Sequence, residues 1–159
     1  MKNVKQIPCA QNDWRADIVD LIMRSHETIV GIPLMNSNST GAEVARELFY
    51  LENVVLAHDA QTDPVFRYAN LSALALFEYT WEELVELPSR LSAEQEAQSK
   101  RSQTMQTVLR NGYINNYSGV RITKSGKRFV IENATIWNLV EENGSQAGQA
   151  AAFKTYHHL

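Results

Sequence analysis

Cysteine is all but missing: Cys9 is the single one in 159 residues. That excludes an internal disulfide framework and any cysteine-based zinc cluster. Long apolar runs are missing too. No stretch approaches the roughly 20 residues that a membrane helix needs, because His, Asp, Glu or Arg interrupts the longest ones. The stretch from Met1 to Ala10 starts basic but has no apolar core, so it does not read as an export signal. Signatures of catalysis are equally scarce. There is no Gly-x-Ser-x-Gly elbow, no glycine loop to cradle a phosphate and no His/Asp cluster at metal-ligand spacing. What is present is ordinary: 44% hydrophobic residues, 21% charged residues and a formal charge of −3. This is the composition of one globular, cytoplasmic domain with a short appendage.

The charges are unevenly spread. Between Glu43 and Glu86 stand nine acidic residues against Arg46 and Arg67, and between Arg90 and Arg128 eight basic residues against Glu94 and Glu96. A local excess of about six positive charges is compatible with an anion or nucleic-acid face, or with a solvated helix and a basic hairpin tip. Aromatics are not interleaved with these residues as base stacking requires. No nucleic acid partner is therefore expected.

Trp14, Ile18, Leu21, Ile22, Ser25 and Ile29 recur at helical spacing, with Asn12 or Asp13 as the cap and Gly31 and Pro33 as the stop. A loop over 35–41 and a short helix over 43–51 follow. His26 is read as a packed or surface histidine rather than a ligand. Further on, 53–58 and 65–69 read as a hairpin, and Asn70 caps a helix with Leu71, Leu74 and Phe77 inward. Thr80 with Glu83 is a capping box, and Ser92 with Gln95 is read as a second one. The second opens the longest helix, with Ala97, Met105, Val108 and Leu109 inward, up to Gly112. Three strands follow, 113–123, 127–140 and 147–156, with a tight turn at 124–127. Helices between two sets of antiparallel strands describe an α+β domain.

That order and several local strings resemble the PAS fold. Asp63 to Asn70 looks like its second strand and Asn cap, and Leu76 to Leu84 like the segment that follows. The chain resembles the MEKHLA domain more closely still, a PAS-like family of bacteria and of the C-terminus of plant class III homeodomain–leucine-zipper proteins. The strings that carry this likeness run, in order, through 55–58, 66–70, 81–84, 87–94, 117–121, 126–129, 136–139 and 148–150. A stand-alone bacterial member is the expectation, and a DNA role does not carry over. The implied architecture is a PAS-like five-stranded antiparallel sheet with helices on one face, spanning 47–159, plus an N-terminal helical extension over 1–46.

The resemblance implies a cavity between the long helix and the sheet. Light-sensing flavin relatives need a cysteine near the helices after the second strand, and haem relatives a histidine on or near the long helix. The chain has neither between Asp59 and Tyr156, so no flavin adduct, haem or other cofactor is expected, and the His157–His158 pair is at most a weak chelator. A small organic ligand, acidic in character, remains open. Alternation from Phe129 places Ile131, Asn133, Thr135 and Trp137 on one face, and comparison with PAS strands turns that face to the cavity. The same comparison points Tyr117, Gly119 and Arg121 inward, although the register with Val120 and Ile122 inward is equally allowed by periodicity. An inward Arg121 needs a carboxylate or an anionic ligand. Met105 and Leu109 on the helix and Arg90 at the cavity mouth complete the ligand set, Arg90 having the alternative of a surface salt bridge. The function expected is a non-catalytic sensory or interaction module, homodimeric through its N-terminal helix. The alternatives are a small α+β enzyme of nuclear-transport-factor-like architecture and a purely structural dimerisation domain.

Overall fold

Two polar side chains near the middle of the chain decide where its helices begin. Asn70 and Thr80 each accept a hydrogen bond from the backbone three residues on, Ala73 N at 3.1 Å and Glu83 N at 3.2 Å. The Glu83 carboxylate in turn accepts from Thr80 N at 2.9 Å, so the expected capping box is present. The structure, a computed structural model, describes residues 3–159 apart from the side chain of Glu96; Met1 and Lys2, where the reading of an export signal begins, lie outside the described residues. Helices α1 (Ala16–Val30) and α2 (Ala42–Phe49) precede strands β1 (Val54–His58) and β2 (Phe66–Ala69). Helices α3 (Leu71–Phe77), α4 (Trp81–Leu84) and α5 (Gln95–Asn111) come next. Strands β3 (Tyr113–Ile122), β4 (Arg128–Val140), β5 (Gln146–Phe153) and β6 (Thr155–His158) close the chain.

The sheet is antiparallel in the order β2-β1-β5-β4-β3, with β6 paired to the start of β4. The expected final strand is thus split at Lys154, and the sheet carries six strands rather than five. Its two faces are told apart by neighbours on β4. Asn138 donates to the carbonyls of Val108 and Leu109 on α5, whereas Trp137 Nε1 donates to Ile22 O on α1 at 3.1 Å. Adjacent strand residues face opposite ways. Helix α1 therefore covers one face and α5 the other.

The α1 stripe is covered by the chain's own sheet. Ile18, Val19, Leu21, Ile22 and Ser25 are buried, Ser25 Oγ accepts from Val140 N at 3.0 Å, and the His26 ring stands edge-on to Trp137 at 4.7 Å. The apolar stripe of α1 is thus packed on the sheet of the same chain. The helix also starts later than its periodicity suggests. Asn12 does not cap it: its Oδ1 accepts from Cys9 N at 2.8 Å and closes a tight turn. Asp13, Trp14 and Arg15 follow at φ of 54–56°, and Trp14 swings away from the stripe onto Phe49 and Tyr50. The second expected capping box is absent as well. Ser92 Oγ donates to Ser89 O at 2.7 Å inside a 3₁₀ turn, leaving Glu94 as the residue ahead of α5, with no side-chain cap.

Candidate functional site

Between α5 and the sheet lies a cavity of about 60 Å³, bordered by His58, Arg101, Met105, Tyr117, Arg121 and Gln149 among apolar neighbours such as Leu56, Phe66, Phe77 and Ile131. A wider mouth of about 580 Å³ shares His58, Arg101, Met105 and Gln149 with it and runs between α5 and the 59–64 turn. Gly148, which borders this mouth, brings β5 close to the end of β1. At φ +140° its Cα passes so close to β1 that a Cβ would meet His58 O at 1.9 Å, an approach that only glycine permits.

Two arginines, Arg101 and Arg121, border the cavity. Arg121 is 8% exposed, so β3 takes the register that turns it inward, with Val120 and Ile122 only half-buried. It donates to Val120 O at 2.9 Å and to Tyr117 Oη at 3.2 Å, and lies 5.6 Å from the Tyr117 ring centre. Gly119 does not leave free space beside it, as its size suggests. A Cβ there would sit 2.5 Å from Tyr117 Oη, so the missing side chain makes room for the tyrosine that holds the guanidinium. Arg101 reaches in from α5 and donates to Ser89 Oγ at 2.9 Å. Burial first, and then the positive charge of Arg121, push its pKa down to about 10. Among the described residues no carboxylate borders the cavity and neither arginine forms an ion pair.

His58 shares this wall. Burial, reinforced by Arg101 nearby, holds its pKa down at about 4 in spite of the hydrogen bond from its Nδ1 to Asp59 O at 2.7 Å, the Asp59 charge and Gln149. Unfolded, the imidazole takes up a proton near 6.5; folded, it resists down to about 4. Acid therefore favours the unfolded chain, and stability is expected to fall between pH 6.5 and 4 by about 3 kcal/mol from this residue. Urea titrations of the wild type and His58→Gln across that window check it. The variant should lose that share of the slope, and identical slopes would overturn the assignment.

The other expected ligand residues divide. Met105 borders the cavity. Leu109 and Arg90 stand at the mouth, Leu109 56% exposed and Arg90 paired with Asp63 at 3.2 Å. Asn133, Thr135 and Trp137 do not reach it. Opposite pairs slip from Gly119↔Ile131 to Tyr117↔Ala134, placing an extra residue on β4, and Asn133 takes a φ of 53° there. A bulge inverts the alternation. Ala134 and Ile136 thereby line the cavity, Asn133 is exposed, and Thr135 and Trp137 turn to the α1 side. Arg101, His58 and Gln149 are not among the residues that the sequence marks for the site. Arg101 reads as one more charge on a solvated helix, and His58 and Gln149 read as ordinary strand positions. Among the described residues, no group of three His, Cys, Asp or Glu side chains could hold a metal ion, and no helix is long and apolar enough to cross a membrane.

The sequence pattern of the MEKHLA domain matches residues 16–158. Homeobox-leucine zipper protein ATHB-9 of Arabidopsis thaliana is 24% identical over 133 residues, which is 80% of this chain and 16% of that protein. ATHB-14 from the same plant is 23% identical over 90% of the chain and 17% of its own length. The chain spans about a sixth of the length of these relatives, and their plant origin lends no support to a bacterial source. Among solved structures, the PAS domain of a protein from Colwellia psychrerythraea superposes with a TM-score of 0.62 at 15% identity, over 74% of this chain and 94% of that one. The light-state dimer of the fungal blue-light photoreceptor Vivid superposes with a TM-score of 0.58 at 18% identity, over 85% and 90%. These likenesses give the PAS-like fold.

Proposed function

The chain belongs to the MEKHLA domain family, whose pattern runs over residues 16–158, and from that premise we propose that it is a non-catalytic, PAS-like sensory module that binds a small organic acid between α5 and the sheet. One observation carries the reading: Arg101 and Arg121 converge on a largely apolar cavity whose described wall offers them no carboxylate. A buried guanidinium without a counter-charge is costly. The half-buried Arg101 beside it adds a like charge, and an entering carboxylate relieves both. The rest of the wall has apolar groups for a ligand body and a mouth by which it enters. Among the described residues, none near the cavity pairs a nucleophile with a base. His58 has its Nδ1 tied to the Asp59 carbonyl rather than to a carboxylate, and the Asp59 side chain bonds Gln61 and Val65 N instead.

Native mass spectrometry of protein purified from its source, in buffers free of carboxylic acids, tests the proposal. A stoichiometric adduct of a small acid is expected, released on denaturation and absent from Arg121→Ala. Adduct-free protein whose melting temperature no small carboxylate raises would overturn it.

A further inference from the structure

One polar atom in the cavity wall stays unsatisfied, and its neighbours fix which atom it is. Asn138 Nδ2 donates to the carbonyls of Val108 at 3.0 Å and Leu109 at 3.3 Å, so its Oδ1 is an acceptor. Gln149 Nε2 donates to that oxygen at 3.1 Å and to Met105 O at 2.9 Å. Both partners of the Gln149 nitrogen are acceptors only, so the amide cannot be turned over. Its Oε1 is thereby held on the other side, buried and without a hydrogen bond, in a residue 5% exposed. A buried polar oxygen without a partner is rare and asks for an explanation.

His58 deepens the deficit. Its Nδ1 faces the Asp59 carbonyl at 2.7 Å, and a carbonyl only accepts, so that nitrogen carries the proton of the neutral ring. Nε2 is then a bare lone pair. Gln149 and His58 both border the cavity, and the Gln149 oxygen is near enough to the ring to favour its protonated form. Two acceptors thus share one wall while two guanidinium groups, donors only, share the space with them. The wall asks for a molecule with an anionic end and a hydroxyl or N–H donor.

Building on the acid-binding reading above, we infer that the ligand is a donor-bearing acid, of the hydroxycarboxylate class. Its carboxylate lies between Arg101 and Arg121, and its hydroxyl donates to Gln149 Oε1 or His58 Nε2. A site whose buried polar groups wait for a donor rejects the analogue that lacks it far more strongly than an apolar pocket rejects a missing methylene. The donor thus sets specificity and the carboxylate sets the charge class. The inner volume of about 60 Å³ suits such a polar head, and the mouth takes the body.

Matched probe pairs separate the two ideas: lactate against propionate, 3-hydroxybutyrate against butyrate, and 4-hydroxyphenylacetate against phenylacetate. Each is titrated into the full chain by calorimetry. In at least one pair the hydroxy acid should bind tenfold or more tightly than its partner. Gln149→Met and His58→Phe, each checked for a native circular-dichroism spectrum, should shrink that ratio toward one while the deoxy acid keeps its affinity. Equal binding within every pair that binds, or a preference that persists in both variants, would overturn the donor inference and leave the acid-binding reading standing. If none of the six acids binds the wild type, both fall.

Discussion

Replacing Arg101 and Arg121 together by methionine is expected to stabilise the ligand-free domain and to abolish its binding of organic acids. The two effects have one cause. With no carboxylate in the described cavity wall, each guanidinium loses much of its hydration, and the charge of Arg121 acts on Arg101 strongly enough to help depress its pKa to about 10. Exchanging buried charged groups for packed apolar side chains is often neutral or gains up to about 4 kcal/mol, and here one guanidinium is buried and the other half-buried. Few hydrogen bonds disappear with the charges: Arg101 to Ser89 Oγ, and Arg121 to Val120 O and Tyr117 Oη. Ligand binding should respond in the opposite sense. Truncating a partner of a buried charge pair costs about 2–5 kcal/mol, so affinity for a small acid should fall at least a hundredfold. Urea melts give the first number and calorimetry the second. A double variant that is less stable than the wild type and still binds acids would show that the arginines serve the fold.

The largest loss of stability from a single polar residue is expected at Asn70, which is wholly buried. Its Oδ1 accepts from Val55 N and Ala73 N at 3.0 and 3.1 Å. Its Nδ2 donates to the carbonyls of Asn53, Leu48 and Leu51 at 2.7, 3.2 and 3.4 Å. One side chain thus joins the end of α2, the start of β1 and the first turn of α3. Asn70→Ala removes a helix cap worth about 1 kcal/mol and leaves several buried backbone groups without partners, at about 1–3 kcal/mol each. A loss of about 4 kcal/mol or more is expected, a large share of a typical domain's 5–15 kcal/mol. Asn70→Asp keeps the acceptor but sets a carboxylate against three carbonyls, so it should fare no better. A stability within about 0.5 kcal/mol of wild type for either variant, the range expected for harmless substitutions, would overturn this account.

Much of the fold is legible in the sequence, for a physical reason. Caps such as Asn70 and Thr80 act within three residues, so the local sequence states them completely. The β-β-α-α-α-β-β-β order follows from turn chemistry and alternation, whereas the inward turn of Tyr117 and Arg121 follows from family likeness alone, because alternation allows either register. What escapes depends on partners far along the chain. Arg101 sits on a helix rich in polar residues, where nothing local separates a solvated arginine from one that reaches inward to Ser89. Gln149 owes its role to Met105 and Asn138, 44 and 11 residues away. Strict alternation misplaces Trp137 because it runs straight through Asn133, where the backbone breaks it.

That break has a consequence for how the gene can change. On β3 the extra residue lies between Ile114 and Tyr117, where Asn116 takes a φ of 53°, and it compensates the one at Asn133 on β4. The pairings Glu132↔Thr155 and Thr135↔Ala152 keep step across Lys154, so the crease continues into the third strand. Deleting Asn133 alone would throw half of β4 out of step with both neighbours and turn Ile131 out of the cavity. Codons 116, 133 and 154 are therefore linked. Register is kept when all three residues are present or all three are lost, so insertions and deletions at these positions of consecutive strands are expected to occur together.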